Sequence, residues 1–268
     1  MKKFIAVTAA LAAAASLSFT AYAADTADVY VTIANGSLEL AQEKITVTDP
    51  DGDGALTIND ALYIAHEEKY EGGAAAGYAT AETEYGLSLS KLWGVENGSA
   101  YGYYLNNASA WSLTDAVKDG DCLNAFVYTD LTGWSDTYTW FDVNTAVTAE
   151  NAELTLTLSA AGFDEAYNPV TLPVENAVIT VNGEKTEFIT DADGKVTIAL
   201  AAGDYIVSAV SDTQTLVPPV CKVAVNAETP EADVAATEAP ATGNSAGTAV
   251  ILCGAALLTA AIAAKGKK

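Results

Sequence analysis

Arginine is absent from this chain. Its 12 basic residues are all lysines, set against 35 aspartates and glutamates, for a formal net charge of −23 over 268 residues. A nucleic-acid partner is excluded by that scarcity, because phosphate binding needs cationic surface. Histidine occurs once, as His66, and the cysteines are three: Cys122, Cys221 and Cys253. No Ser-His or Cys-His grouping, zinc spacing or phosphate loop is visible, so catalysis of those kinds finds no carrier. A glycosidase-type carboxylate pair stays open on count alone. Cys122 and Cys221 lie too far apart in sequence to form a disulfide framework; they read as buried thiols, or as one pair in an oxidising exterior.

The charged residues are unevenly placed. No Asp or Glu precedes Ala24 or follows Gly243, and five of the lysines lie at the two ends. Residues 1–23 begin with Lys2 and Lys3, continue through an Ala/Leu-rich stretch and end in Ala21-Tyr22-Ala23. These are the three parts of a cleaved secretory signal. At the other end an apolar run from about 247 to 264 is followed by Lys265, Lys267 and Lys268. That run is long enough to cross a bilayer with its lysines in the cytoplasm. Between the two ends seven lysines face all 35 acids, a net −28, which suits a protein that stays soluble outside the cell.

Ahead of the apolar run stands Ala239-Pro240-Ala241-Thr242-Gly243. A Pro-x-Thr-Gly motif, an apolar helix and a basic tail together resemble the sortase cell-wall sorting signal of Gram-positive bacteria. The resemblance implies cleavage between Thr242 and Gly243 and joining of the threonine to peptidoglycan. Ala239 departs from the family's usual leucine. Sortase and peptidoglycan are therefore the expected partners, with the membrane met only through the C-terminal helix before processing.

Residues 29–33 and 45–48 read as strands from their β-branched alternation, and 59–70 as a helix. The single histidine falls on that helix among Ala, Glu and Lys, where a solvated or half-buried side chain is expected. Residues 71–77 read as a small-residue loop, 122–128 as a strand and 134–141 as an aromatic strand. Around 144–151 the register changes to strand and turn alone. Asn182-Gly183 between two alternating segments is a strong hairpin signal. Residues 228–240, rich in Ala, Glu, Thr and Pro, read as a disordered spacer.

The sharpest local motif runs from Asp49 to Asp60: Asp-Pro-Asp-Gly-Asp-Gly-Ala-Leu-Thr-Ile-Asn-Asp. It fits a twelve-residue calcium loop. Asp49, Asp51 and Asp53 occupy positions 1, 3 and 5, and Gly54 sits at the bend. Ala55 offers its carbonyl, Thr57 acts through water, and Asp60 supplies the final carboxylate. The loop resembles that of dockerin modules, although those carry two repeats and this chain has one. The same residues also read as turn chemistry followed by a Thr57–Asp60 helix cap. The expected cofactor is a structural Ca²⁺.

The order of strand, turn, helix, Gly102-Tyr103-Tyr104-Leu105-Asn106-Asn107 and Asp119-Gly120-Asp121 resembles the β-grasp-like domain of unknown function numbered 4430, related to the cobalamin-covering domain of transcobalamins. It implies a small α+β sheet able to hold a ligand. Residues 190–207 resemble the Cna-B and carboxypeptidase-regulatory-like sandwiches of Gram-positive surface proteins, which imply a stalk. Trp93, Tyr101, Tyr103, Tyr104 and Trp111 are candidate ligand-contact aromatics, or fillers of a small core.

The expected architecture is thus an α+β domain with one helix at 24–147 and an all-β antiparallel sandwich at 148–226. Linker and sorting motif occupy 227–243, and the transmembrane helix with its basic tail 244–268. The expected function is a cell-wall-anchored, non-catalytic ligand-binding or adhesion module, with a glycan, peptide or small molecule as its ligand. An envelope-held receptor for a corrinoid-like small ligand and a secreted carbohydrate-active enzyme are the alternatives.

Overall fold

A computed structural model of the protein describes residues 26–227. The signal segment, the sorting motif with Pro240, Thr242 and Gly243, and the C-terminal apolar run lie outside the described residues. Among the described residues no helix is long and apolar enough to cross a membrane. The described residues are mostly β-structure, with two helices among them.

The N-terminal part opens on a hairpin of β1 (Ala27–Ala34) and β2 (Leu38–Val47), paired antiparallel from Ala27↔Val47 to Ala34↔Leu38. Val29, Val31, Ile33, Ile45 and Val47 are buried, as alternation on one covered face requires. Helix α1 (Ile58–Lys69) follows, capped at Thr57, and buries Ile58, Ala61, Leu62 and Ala65. A short helix α2 (Gly73–Gly77) occupies the segment expected as a loop. Strands β3 (Ala79–Thr83) and β4 (Gly86–Lys91) form a separate hairpin. Strands β5 (Tyr101–Leu105), β6 (Ala108–Ser109) and β7 (Cys122–Val127) complete a sheet of order β2-β1-β7-β5-β6. Its central pair, β1 and β7, is parallel, with Tyr30 opposite Cys122 and Ala34 opposite Phe126.

The C-terminal part contains ten strands. They are β8 (Thr137–Phe141), β9 (Thr145–Ala149), β10 (Leu154–Phe163), β11 (Pro169–Pro173), β12 (Val178–Val181), β13 (Glu184–Ile189), β14 (Lys195–Ile198), β15 (Gly203–Val210), β16 (Leu216–Val217) and β17 (Cys221–Asn226). One sheet has the order β11-β10-β8-β16 with β14 also on β10; the other runs β13-β12-β15-β17-β9. Phe141, Leu156, Leu158, Ile179, Ile198 and Val207 pack in the shared core. Asn182 and Gly183, at φ 51° and 84°, make the two-residue turn of the β12–β13 hairpin.

Two features of the sandwich also depart from expectation. The sandwich sheets start at Thr137, because β8 pairs with β10 and β16, and β9 pairs with β17. The β8–β16 and β9–β17 pairs are parallel, so the sandwich is not purely antiparallel. Both arise because β8 and β9 lead out of the first sheet and find their partners at the far end of the chain.

The described residues form one compact unit. Ala34, Phe126, Tyr138 and Val217 make a small core between the two parts. Tyr104 and Tyr138 stack there with ring centroids 3.7 Å apart and planes 9° from parallel. Gln42 Nε2 donates to the Val220 carbonyl at 3.1 Å, and Lys222 Nζ lies 2.9 Å from Glu43.

Candidate functional site

The Asp49–Asp60 loop leaves β2 and enters α1. The Asp49 carboxylate accepts the N–H groups of Gly52 (2.7 Å), Asp53 (3.2 Å) and Gly54 (2.8 Å). These donors, Gly54 first, hold its pKa below the usual carboxylate value. Gly52 and Gly54 take φ of 74° and 88°, which glycine adopts without a Cβ penalty. Asp53 accepts the Ala55 N–H at 2.8 Å. One carboxylate oxygen from each of Asp49, Asp51 and Asp53 lies within 4.8 Å of the other two.

Asp60 stands apart from that trio and is fully buried. Its Oδ2 accepts from the Thr57 N–H at 2.9 Å and the Thr57 hydroxyl at 2.7 Å. Thr57 Oγ1 in turn meets the Asp60 N–H at 3.3 Å, which closes a reciprocal cap. Asp60 Oδ1 is buried without a partner. Burial pushes the Asp60 pKa up, the Thr57 hydrogen bonds oppose the rise, and the charges of Asp51 and Asp53 add to it. Residues 56–59 are also stitched to a distant segment. Val117 donates to the Leu56 carbonyl at 2.8 Å, Ile58 to Asp115 at 3.0 Å and Asn59 to Leu113 at 2.8 Å.

The five candidate aromatics do not form one surface. Tyr101 Oη lies 2.9 Å from the Ser90 carbonyl and 2.8 Å from that of Val95. Tyr103 packs on the head core, and Tyr104 is spent in the stack with Tyr138. Trp111 is 92 % exposed. Trp93 is half-buried, edge-on to Tyr70 at 5.1 Å.

Trp93 also reveals the place of His66, which is fully buried rather than solvated. Its Nδ1–H donates to the Leu62 carbonyl at 2.7 Å, and its Nε2 accepts the Trp93 N–H at 2.9 Å. Those partners specify the neutral tautomer. Burial pulls the His66 pKa down to about 4. Both ring nitrogens are thereby committed to structure. Cys122 and Cys221 are free thiols, and burial pushes Cys221 up to about 12.

One concavity escaped the sequence altogether. A cleft of about 800 Å³ lies between the two parts of the unit. Leu38, Leu40 and Trp93 line it from the first part; Ile206, Val210 and Pro218 line it from the sandwich, with Glu39 and Asn182 adding polar groups. No spacing within either segment could disclose a wall built from both.

No family model matches the chain, and no curated protein matches it. Solved structures with some similarity are immunoglobulin-type β-sandwich arrays. Tandem Ig repeats of Dlar share 16% identity over 56% of this chain and 75% of that one, with a TM-score of 0.24. The N-terminal Ig1-2 module of the Drosophila receptor protein tyrosine phosphatase DLAR shares 12% over 60% of this chain and 81% of that one, at 0.23. Sidekick-1 immunoglobulin domains 1–4 share 15%, covering 75% of this chain and 51% of theirs, at 0.21. TM-scores this low carry no argument for topology or function.

Proposed function

We propose that this chain is a non-catalytic binding module displayed on a Gram-positive cell. A sortase would join Thr242 to peptidoglycan, leaving the head and sandwich close to the envelope on a short spacer. The hairpin, the covering helix and the parallel central pair β1–β7 support the β-grasp-like reading of the head. The sandwich then serves as a stalk that also supplies one wall of the binding site.

The observation that carries this reading is the cleft. Its volume falls in the range of small-ligand sites, and its position between two packed parts is where such sites concentrate. Its lining mixes apolar side chains with Glu39, Glu43, Lys69 and Asn182, which suits a short glycan, a peptide or a compact small molecule. The aromatic stack and the Lys222–Glu43 pair hold its two walls in register.

A glycan array probed with the full chain, alongside a cobalamin titration, separates the readings. Retention of a glycan supports adhesion, and saturable cobalamin binding supports an envelope-held receptor. Turnover of polysaccharide would replace both with an enzyme. For the anchoring, the chain is expected in the covalently bound peptidoglycan fraction; recovery in the detergent-soluble fraction alone contradicts it.

A further inference from the structure

The outer face of one sandwich sheet carries a second concavity, of about 500 Å³, that continues the cleft. Asp204 on β15, Ala224 on β17 and Val147 on β9 line it, and the register sets Ala224 beside both of the others. Asn182 and Ile206 line this concavity and the cleft alike, so the two form one groove with a shared middle. From Asn182 at the end of β12 to β9 the groove passes three strand spacings in the order β12-β15-β17-β9. That is about 14 Å, the length of about four extended residues, added to what the cleft holds.

The aromatic residues of the groove are already engaged. Trp93 packs against His66 and Tyr70, each at a ring distance of 5.1 Å. Tyr205 packs on the sandwich core with its hydroxyl on the Ala201 carbonyl at 3.1 Å. Sugar recognition by stacking needs a free ring face, so a glycan finds little to hold. Apolar contact comes instead from Leu38, Ile206 and the exposed Val147. Asn182 Oδ1 accepts the Ile206 N–H at 2.8 Å, which leaves its Nδ2 to donate to a ligand carbonyl.

Charge narrows the occupant further. Lys69 and Lys222 both border the groove, and both are turned to Glu43, at 3.9 and 2.9 Å. Glu39 in the cleft and Asp204 in its continuation have no ion-pair partner among the described residues. Each half of the groove therefore carries an uncompensated acid beside apolar floor, within a chain of net charge −23. Its complement is an apolar segment with a cationic residue toward each end. A second copy of this chain is a poor occupant, because both copies carry the same acidic surplus.

We propose that the cleft and its continuation take a single basic peptide segment, extended across the sheet. Apolar side chains rest on Leu38, Ile206 and Val147, and a lysine or arginine faces each of Glu39 and Asp204. The proposal rests on the cleft being the binding site; it adds the class of ligand and the second half of its path.

A phage-displayed library of random octapeptides, panned on the full chain, is the test. Enriched peptides should carry two Lys or Arg separated by apolar residues, and synthetic copies should bind more weakly at high salt. Asp204→Lys should weaken them at least about tenfold. Asp193→Lys, the same charge change at an exposed turn outside the groove, should not. Ala224→Trp fills the continuation and leaves the cleft open, so it too should lose binding; if that chain does not fold, Asp204→Lys still decides. Loss in Ala41→Trp with full binding in Asp204→Lys and Ala224→Trp would keep the cleft as the site and overturn the longer groove. No enrichment, enrichment of acidic or uncharged peptides, or equal weakening by Asp204→Lys and Asp193→Lys would overturn the basic-peptide assignment, whatever a glycan array returns for the cleft.

Discussion

The head and the sandwich bury their polar groups differently. Inside the head, beside Thr32, Gln42 and Thr57, lie three ionisable groups: Asp60, His66 and Asp121. Inside the sandwich lie hydroxyls: Thr139, Thr180, Thr190 and Ser208. Thr139 and Thr190 each donate to a carbonyl, of Val217 at 2.7 Å and of Val174 at 2.6 Å. A hydroxyl so bonded asks nothing of the solvent, whereas a buried acid or base ties stability to pH and to ions. The head should therefore respond to solution conditions that leave the sandwich unchanged.

The largest expected effect lies in the sandwich. Phe141 is 2% exposed in its core, and Phe141→Ala should cost about 4 kcal/mol. Urea unfolding at neutral pH and near pH 5 should give the same loss; a loss that changes with pH would break the contrast.

Acid should act through the head. His66 is held near pH 4 when folded, so the unfolded chain, with a pKa near 6.5, takes the proton first. The contribution is complete above about 6.5 and drains away as pH falls toward 4, by about 3 kcal/mol in all. His66→Leu should flatten that part of the stability profile. An unaltered profile in the variant would show that His66 is not the source.

A smaller effect sharpens the boundary between the parts. The Tyr104–Tyr138 stack crosses it, and a double-mutant cycle with leucine at both positions should return about 1 kcal/mol of coupling. Zero coupling would mean that the seam is held by burial alone. The smallest effect belongs to the Lys222–Glu43 pair, half exposed to water: Lys222→Met should change stability by about 0.5 kcal/mol or less, and less still in high salt.

Local signals were legible where the chemistry is local. Thr57 and Asp60, three residues apart, announced a helix that runs from Ile58 to Lys69, and Asn182-Gly183 announced its hairpin. The spacing of Asp49, Asp51 and Asp53 likewise brings their carboxylates together in one loop. What escaped depends on distant partners. His66 reads as solvated or half-buried because its helix carries Glu and Lys; its full burial comes with Trp93, 27 residues away, whose N–H it accepts. Helix α2 hid in a Gly/Ala run whose composition reads as loop. The strand at 134–141 reads as part of the first domain, and the expected boundary at 147 cuts through β9, because the partners of β8 and β9, β16 and β17, come some eighty residues later. The aromatics were recognised as a group, yet the fold sends Tyr104 to the seam, Trp93 to the cleft and Trp111 to solvent.

Ligand capture by the cleft is the most direct test of the binding account. Ala41 lines the cleft and is half-buried on strand β2, so Ala41→Trp fills it from the head side. The full chain should retain at least one member of a panel of glycans, peptides and cobalamin, and Ala41→Trp, with an unchanged melting temperature, should lose it. Equal retention by both chains would contradict the account.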